Sequence, residues 1–214
     1  TQSDAQGNMV SLGGSKVFNL SDNLELYGIG ENKTNVYASV YKVFGDIVSS
    51  LYPEYVKTYP DISTVLDLSY MLNVKSKTTN LTSADKITYS NTGELSQTVA
   101  KRAWSIEFET GSANFTPKAL STLEDLYNQL NIASGLQVEI FGHTDNVGNP
   151  DANLSLSDAR ANAVKNWLQN KSATNYPNSR FAQVKGKGQN EPISDNNTSA
   201  GKAKNRRVEV VMGK

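Results

Sequence analysis

Cysteine is absent from the 214 residues. Disulfides, thiolate metal sites and thiol catalysis are therefore excluded. Histidine occurs once, at His143, so a histidine-rich metal site is excluded too. Excess charge of either sign is missing: 21 basic residues balance 21 acidic ones. A chain without a basic surplus has no electrostatic footprint for nucleic acid or an anionic membrane, so neither is an expected partner. Any anion must be gripped by individually placed arginines. No run of 18 apolar residues occurs, so no transmembrane helix is expected. The opening TQSDAQGN is polar and lacks the apolar core of an export signal. Such a chain is expected to be soluble, either cytoplasmic or parted from an export signal or anchor.

What is present divides into three stretches. Residues 1–77 are expected to be mainly helical. Val36, Val40, Val43, Phe44 and Ile47 recur at helical spacing, and Tyr37 and Tyr41 widen that stripe. Thr34 or Asn35 can cap the helix, and Pro53 ends it near Leu51-Tyr52. A second short helix is expected after Pro60-Asp61, through Val65 and Leu66. The many tyrosines of this stretch read as amphipathic packing residues rather than a sugar-stacking surface. Residues 78–102, rich in Thr, Ser, Asn and Gly, read as a linker or as short strands around Asn91-Thr92-Gly93-Glu94.

Residues 103–214 are the most legible. Trp104-Ser105-Ile106-Glu107-Phe108 alternates like a strand, and Gly111 to Asn114 turns the chain. Thr116-Pro117 predicts an N-cap followed by proline at the first helical position. Leu120, Leu123, Leu126, Tyr127 and Leu130 predict the helix itself. A strand is expected at Leu136 to Phe141, followed by the loop Gly142-His143-Thr144-Asp145-Asn146-Val147-Gly148. Leu156, Ala159, Ala163, Val164, Trp167 and Leu168 form the stripe of a long helix. Arg160 lies one position from that stripe, among alanines that leave its guanidinium uncrowded. Further strands are expected from Phe181 to Gly188 and at Val208 to Val211, with a short helix from Ser199 to Lys204 between them. The order β-α-β-α-β-β predicts an α/β (α+β) sandwich with a mixed sheet. Ligand sites in such folds gather where strands end, which marks the 142–148 loop.

Three segments carry a resemblance. Gly142-His143-Thr144-Asp145, Asn153-Leu154-Ser155-Leu156-Ser157-Asp158-Ala159-Arg160-Ala161 and Asn205-Arg206-Arg207-Val208-Glu209 resemble, in order and spacing, the OmpA-like C-terminal domain family. The likeness covers about residues 104–212. The resemblance implies a protein of the cell envelope, periplasmic and associated with the outer membrane. It implies a partner, the peptidoglycan stem peptide, bound non-covalently, with no catalysis and no cofactor. It implies that Asp145 and Arg160 hold meso-diaminopimelate, whose free end carries an ammonium beside a carboxylate. An arginine fork suits the carboxylate and an aspartate the ammonium. Asn153 would brace the loop, Thr144 belongs to it, and Arg206 or Arg207 would add a contact. Ala152 departs from the family, which often has an aromatic there, so a flanking contact is in doubt. The segment 172–179 is insertion-like and carries no assigned role. Residues 1–77 look faintly like the closing helices of a periplasmic substrate-binding domain.

Two rivals compete. One is an enzyme: His143 and Asp145 form an H-x-D pair with Asp151 or Asp158 as further ligands, or Glu107 and Glu109 pair as hydrolase carboxylates. The other is a solute-binding protein of which this is a C-terminal piece.

Overall fold

A computed structural model describes residues 2–3, 9–10, 20–78, 88–89 and 93–214. Of the turn expected at 91–94, Asn91 and Thr92 lie outside the described residues. Two short strands, β1 (Gln2–Ser3) and β2 (Met9–Val10), pair antiparallel. Four helices follow: α1 (Leu20–Leu26), α2 (Val36–Leu51), α3 (Ile62–Val65) and α4 (Ser69–Lys77). Then come β3 (Thr98–Trp104), α5 (Ala119–Ile132), β4 (Gln137–His143), α6 (Pro150–Lys171), β5 (Phe181–Gly188), α7 (Ser199–Asn205) and β6 (Val208–Gly213).

The second half is an α/β domain with an open mixed sheet in the order β3-β6-β4-β5. The pair β4–β5 is parallel, and the last strand runs antiparallel between β3 and β4. Alternation along the strands sends Val138, Ile140, Val208 and Val210 to one face. There they meet Leu123, Leu126 and Leu130 of α5 and Ala161, Val164 and Leu168 of α6 in one core. This burial of aliphatic side chains is the main stabilising term.

Three expected boundaries move. The first strand runs through Thr98–Trp104 rather than Trp104 to Phe108, beginning inside the stretch read as a linker or short strands. Phe108 instead bridges Phe115 across a turn. Helix α5 starts after Lys118, two residues later than Thr116-Pro117 predicts. The Thr116 carbonyl accepts from the Ala119 amide, while its hydroxyl sits beside Glu107. Strand β4 continues through Gly142 and His143, both expected in the loop, because β6 and β5 pair with it that far.

Helix α2 has the expected bounds, with Asn35 as its N-cap accepting from the Ala38 amide at 2.9 Å. Its apolar stripe is covered only in part. Ser39 is its buried residue, donating to Asn128 Oδ1 of α5 at 3.0 Å, and Lys42 approaches Asp125 at 3.6 Å. Val36, Val40 and Val43 are half-buried, whereas Phe44 is 60% exposed and Ile47 46%. The facing surface of α5 offers amide and carboxylate groups here, so a polar residue of α2 takes the most buried place.

The segment 172–179, given no role from sequence, holds a core residue. Tyr176 is fully buried, and its hydroxyl donates to Asn131 Oδ1 at 3.0 Å. Beside it Arg180 is fully buried without a carboxylate partner among the described residues. It donates instead to the carbonyls of Leu130, Ala133, Leu136 and Asn175 at 2.6 to 3.2 Å. Two of these belong to the C-terminal end of α5, where a cation complements the helix dipole.

Candidate functional site

The site is built at the end of β4, where the chain leaves the sheet and enters α6. The Asp145 carboxylate folds back on its own loop, Oδ1 accepting from the Val147 amide at 3.0 Å. Gly148 has φ +97°, a left-handed conformation that favours glycine. Asn149 caps α6 by accepting from the Asp151 and Ala152 amides, and Pro150 follows it. Asn153 ties the loop to the helix. Its Nδ2 donates to the Val147 carbonyl at 3.0 Å, to the Asp145 carbonyl at 3.4 Å and to Gln189 Oε1 at 2.9 Å.

Helix α6 lies close on the sheet because two glycines face it. A Cβ on Gly142 would meet the Ser157 carbonyl oxygen at 2.0 Å, and one on Gly186 would meet the Asp158 amide at 2.4 Å. Those glycines pair directly across β4 and β5. Ser157 and Asp158 then bond the strand, accepting from the Gly188 and Gly186 amides at 2.9 and 3.0 Å. The buried face of α6 is thus Asn153, Ser157, Arg160, Ala161, Val164 and Leu168. Arg160 sits on that face itself, not one position beside it, and Ala159 of the expected stripe is exposed.

Arg160 is 8% exposed. Its Nε donates to the Ser112 carbonyl at 3.0 Å, and its guanidinium lies 4.9 Å from the Phe108 ring centre. Phe108 packs on Phe115 at 5.1 Å, so the 108–115 turn packs against Arg160. Among the described residues, nothing hydrogen-bonds the two terminal nitrogens of Arg160. Its pKa is drawn below the ordinary arginine value, first by burial, then by Arg206, while Asp145 opposes the shift. Arginine stays charged throughout the physiological range.

Arg206 and Arg207 precede β6 rather than lying on it. Arg206 ends α7, and its Nη1 meets Asp145 Oδ2 at 2.6 Å. Arg207 is buried elsewhere, donating to the Glu191 carbonyl. Asp145, Arg160 and Arg206 therefore share one electrostatic neighbourhood. Thr144 is buried beside them; its amide donates to the Gly188 carbonyl, and its hydroxyl has no partner among the described residues. The Ser112 carbonyl, Phe108 and Gln189 were not foreseen as site groups. A backbone acceptor leaves no mark on side-chain patterning, and Phe108 reads as an ordinary strand residue.

His143 does not join Asp145 in a metal site. It is buried, and its charged neighbours are Arg207, Glu209, Glu191 and Lys187. Burial first, then Arg207, lowers its pKa to about 4, so it is neutral at pH 7. Among the described residues no three His, Asp or Glu side chains gather as metal ligands. Glu107 and Glu109 are exposed.

Fold and site together define an α/β domain with a cluster of charged side chains at the C-terminal end of a parallel strand pair. Residues 107–206 match the OmpA family. Over 107 residues the chain is 33% identical to "Probable lipoprotein YiaD" of Escherichia coli strain K12, covering 50% of this chain and 47% of that protein. It is 36% identical over 107 residues to "Peptidoglycan-binding protein ArfA" of Mycobacterium tuberculosis strain H37Rv, covering 50% of this chain and 32% of that one. The chain thus spans from about a third to about half of the length of these curated relatives. The structure of an outer membrane protein from Borrelia burgdorferi B31 aligns with a TM-score of 0.45 at 25% identity, over 56% of this chain and 95% of that one.

Proposed function

We propose that this chain binds the peptide of peptidoglycan non-covalently and so tethers an envelope protein to the cell wall. The observation that carries the reading is the state of the two charged groups. The Arg160 terminal nitrogens lack partners among the described residues, and Asp145 pairs with the half-exposed Arg206 rather than with Arg160. Carboxylate and guanidinium thus stand near each other without being locked together. An ammonium beside a carboxylate, as on meso-diaminopimelate, matches that pair: Asp145 takes the ammonium and Arg160 the carboxylate. Asn153 and Thr144 hold the loop in register, and Arg206 borders the cleft. The peptidoglycan-binding relative supports the same reading.

The reading is of a binder that leaves the wall uncut. It places the protein in the periplasm, associated with the outer membrane. No helix among the described residues is long and apolar enough to cross a membrane.

The test is calorimetry with stem peptides. A meso-diaminopimelate peptide should bind, and a lysine peptide, lacking the second carboxylate, should bind more weakly. Removing one partner of a charge-assisted pair costs about 2–5 kcal/mol. Asp145→Ala should therefore abolish recovery of the protein with purified sacculi. Equal affinity for the two peptides would contradict the role of Arg160. Muropeptides released by the pure protein would refute non-catalytic binding.

A further inference from the structure

The charges in the cleft do not balance. Asp145 is one carboxylate, whereas Arg160 and Arg206 are two guanidiniums, and Arg206 and Asp145 are the two charged groups that act on Arg160. The free end of diaminopimelate is neutral overall, one ammonium with one carboxylate. Seating it would leave one guanidinium unmatched. The unmatched group can be named. Asp145 Oδ1 accepts from the Val147 amide and Oδ2 from Arg206 Nη1, which leaves each oxygen a second lone pair for an arriving ammonium. Arg206 therefore stays on Asp145 when the ammonium arrives. Its side chain is 48% exposed, and the Nη1 contact is its side-chain hydrogen bond among the described residues, so its other N–H donors are unused.

We propose that Arg206 makes the cleft selective for stem peptides bringing a second free carboxylate beside the ammonium–carboxylate end of diaminopimelate. The simplest such ligand is a stem that ends at diaminopimelate, where the residue keeps both carboxylates and one ammonium. This role of Arg206 rests on the peptide-binding reading of the same cleft. The Asp145 contact holds the Arg206 guanidinium beside the ligand ammonium, and its spare donors take the second carboxylate. A ligand lacking that group leaves the extra positive charge unmatched. Arg206 is thus a specificity residue, and Arg160 the fixed anchor.

Calorimetry on the 214-residue chain decides the matter with three synthetic stems ending at diaminopimelate. One has both carboxylates free, one has its C-terminal carboxylate amidated, and one has its side-chain carboxylate amidated. Wild type should bind the free acid about tenfold more tightly than the C-terminal amide, the size of one charge-assisted hydrogen bond at a half-exposed site. Arg206→Gln, checked for an unchanged thermal midpoint, should bind those two equally. Arg206→Lys, which keeps the charge, should retain part of the preference. Equal binding of the two by wild type, or a preference surviving in Arg206→Gln, overturns the role of Arg206. If the side-chain amide nevertheless binds poorly, peptide binding through Arg160 still stands. If wild type binds none of the three, both readings fall together.

Discussion

Gly142→Ala places one methyl group between β4 and α6, and its cost follows from the close approach there. The new Cβ would lie 2.0 Å from the Ser157 carbonyl oxygen, a backbone atom that no side-chain rotation can move aside. Ordinary contact begins at 3.4 Å, so helix and strand must separate by about 1.4 Å, the difference between 3.4 and 2.0 Å. Two hydrogen bonds span that same gap, Gly188 N to Ser157 Oγ at 2.9 Å and Gly186 N to Asp158 Oδ1 at 3.0 Å. Lengthened by that amount, neither survives. Overpacking costs roughly 1–3 kcal/mol, and two lost hydrogen bonds roughly 1 kcal/mol each, so about 3–5 kcal/mol is expected. Arg160 lies one turn along α6 from Ser157, so it moves as well. Urea denaturation measures the first effect, and calorimetric titration with a diaminopimelate stem the second. Gly93→Ala is the control on the denaturation scale, since its Cβ meets nothing within 4 Å; only the backbone strain of φ +90° acts there. A Gly142→Ala protein within 0.5 kcal/mol of wild type, a surface-like value, would show that α6 does not approach the sheet this closely.

Three further outcomes are expected. Arg180→Met should cost roughly 3–5 kcal/mol in urea denaturation, because four carbonyls lose their donor inside the core; Arg180→Lys should restore only part, lacking the fork. His143 gives an acid limb to the stability curve. Its folded pKa of about 4 lies below the ordinary histidine value of 6.5, so its contribution is complete above pH 6.5 and falls as pH drops towards 4. At pH 5 the loss should be about 2 kcal/mol, and His143→Gln should remove that part of the pH dependence in denaturation at pH 7 and pH 5. Tyr176→Phe should cost about 1–2 kcal/mol in thermal melting, since removing the hydroxyl leaves the buried Asn131 amide one partner short.

The alternation and helical periods of 103–214 made the sheet and its two long helices readable, because a buried aliphatic face obeys a simple rule. Phase and boundaries were harder. Reading α6 by its apolar residues put Ala159 inside and Arg160 beside the stripe. The helix instead buries Asn153, Ser157 and Arg160, each with its own hydrogen bonds. Polar groups can occupy an inward face when strand ends and loop carbonyls receive them, and no pattern of apolar residues reports that. Arg180 was unreadable for the same reason, since all its partners are carbonyls. Helix α2 failed differently. Its stripe was correctly seen as a helix, yet periodicity says only that one face is apolar, not that anything covers it. The resemblance supplied Asp145 and Arg160, and left Arg206 and Arg207 as alternatives for a further contact. Geometry added that Arg206 faces Asp145 while Arg207 turns away, which follows from α7 ending at the first arginine.

The placement of the site follows from this mixture of faces on α6. Towards its C-terminal end the helix buries Ala161, Val164 and Leu168, and there it contributes stability. Towards its N-terminal end it buries hydrogen-bonding groups, which contribute little net energy even when fully paired. That end can carry an arginine with unused donors because the apolar half fixes the helix and the paired glycines fix its height above the sheet. An arginine on a flexible loop would collapse onto Asp145 and cancel it. Held by Ser112, Phe108 and the helix itself, Arg160 cannot, and the carboxylate pairs with the half-exposed Arg206 instead.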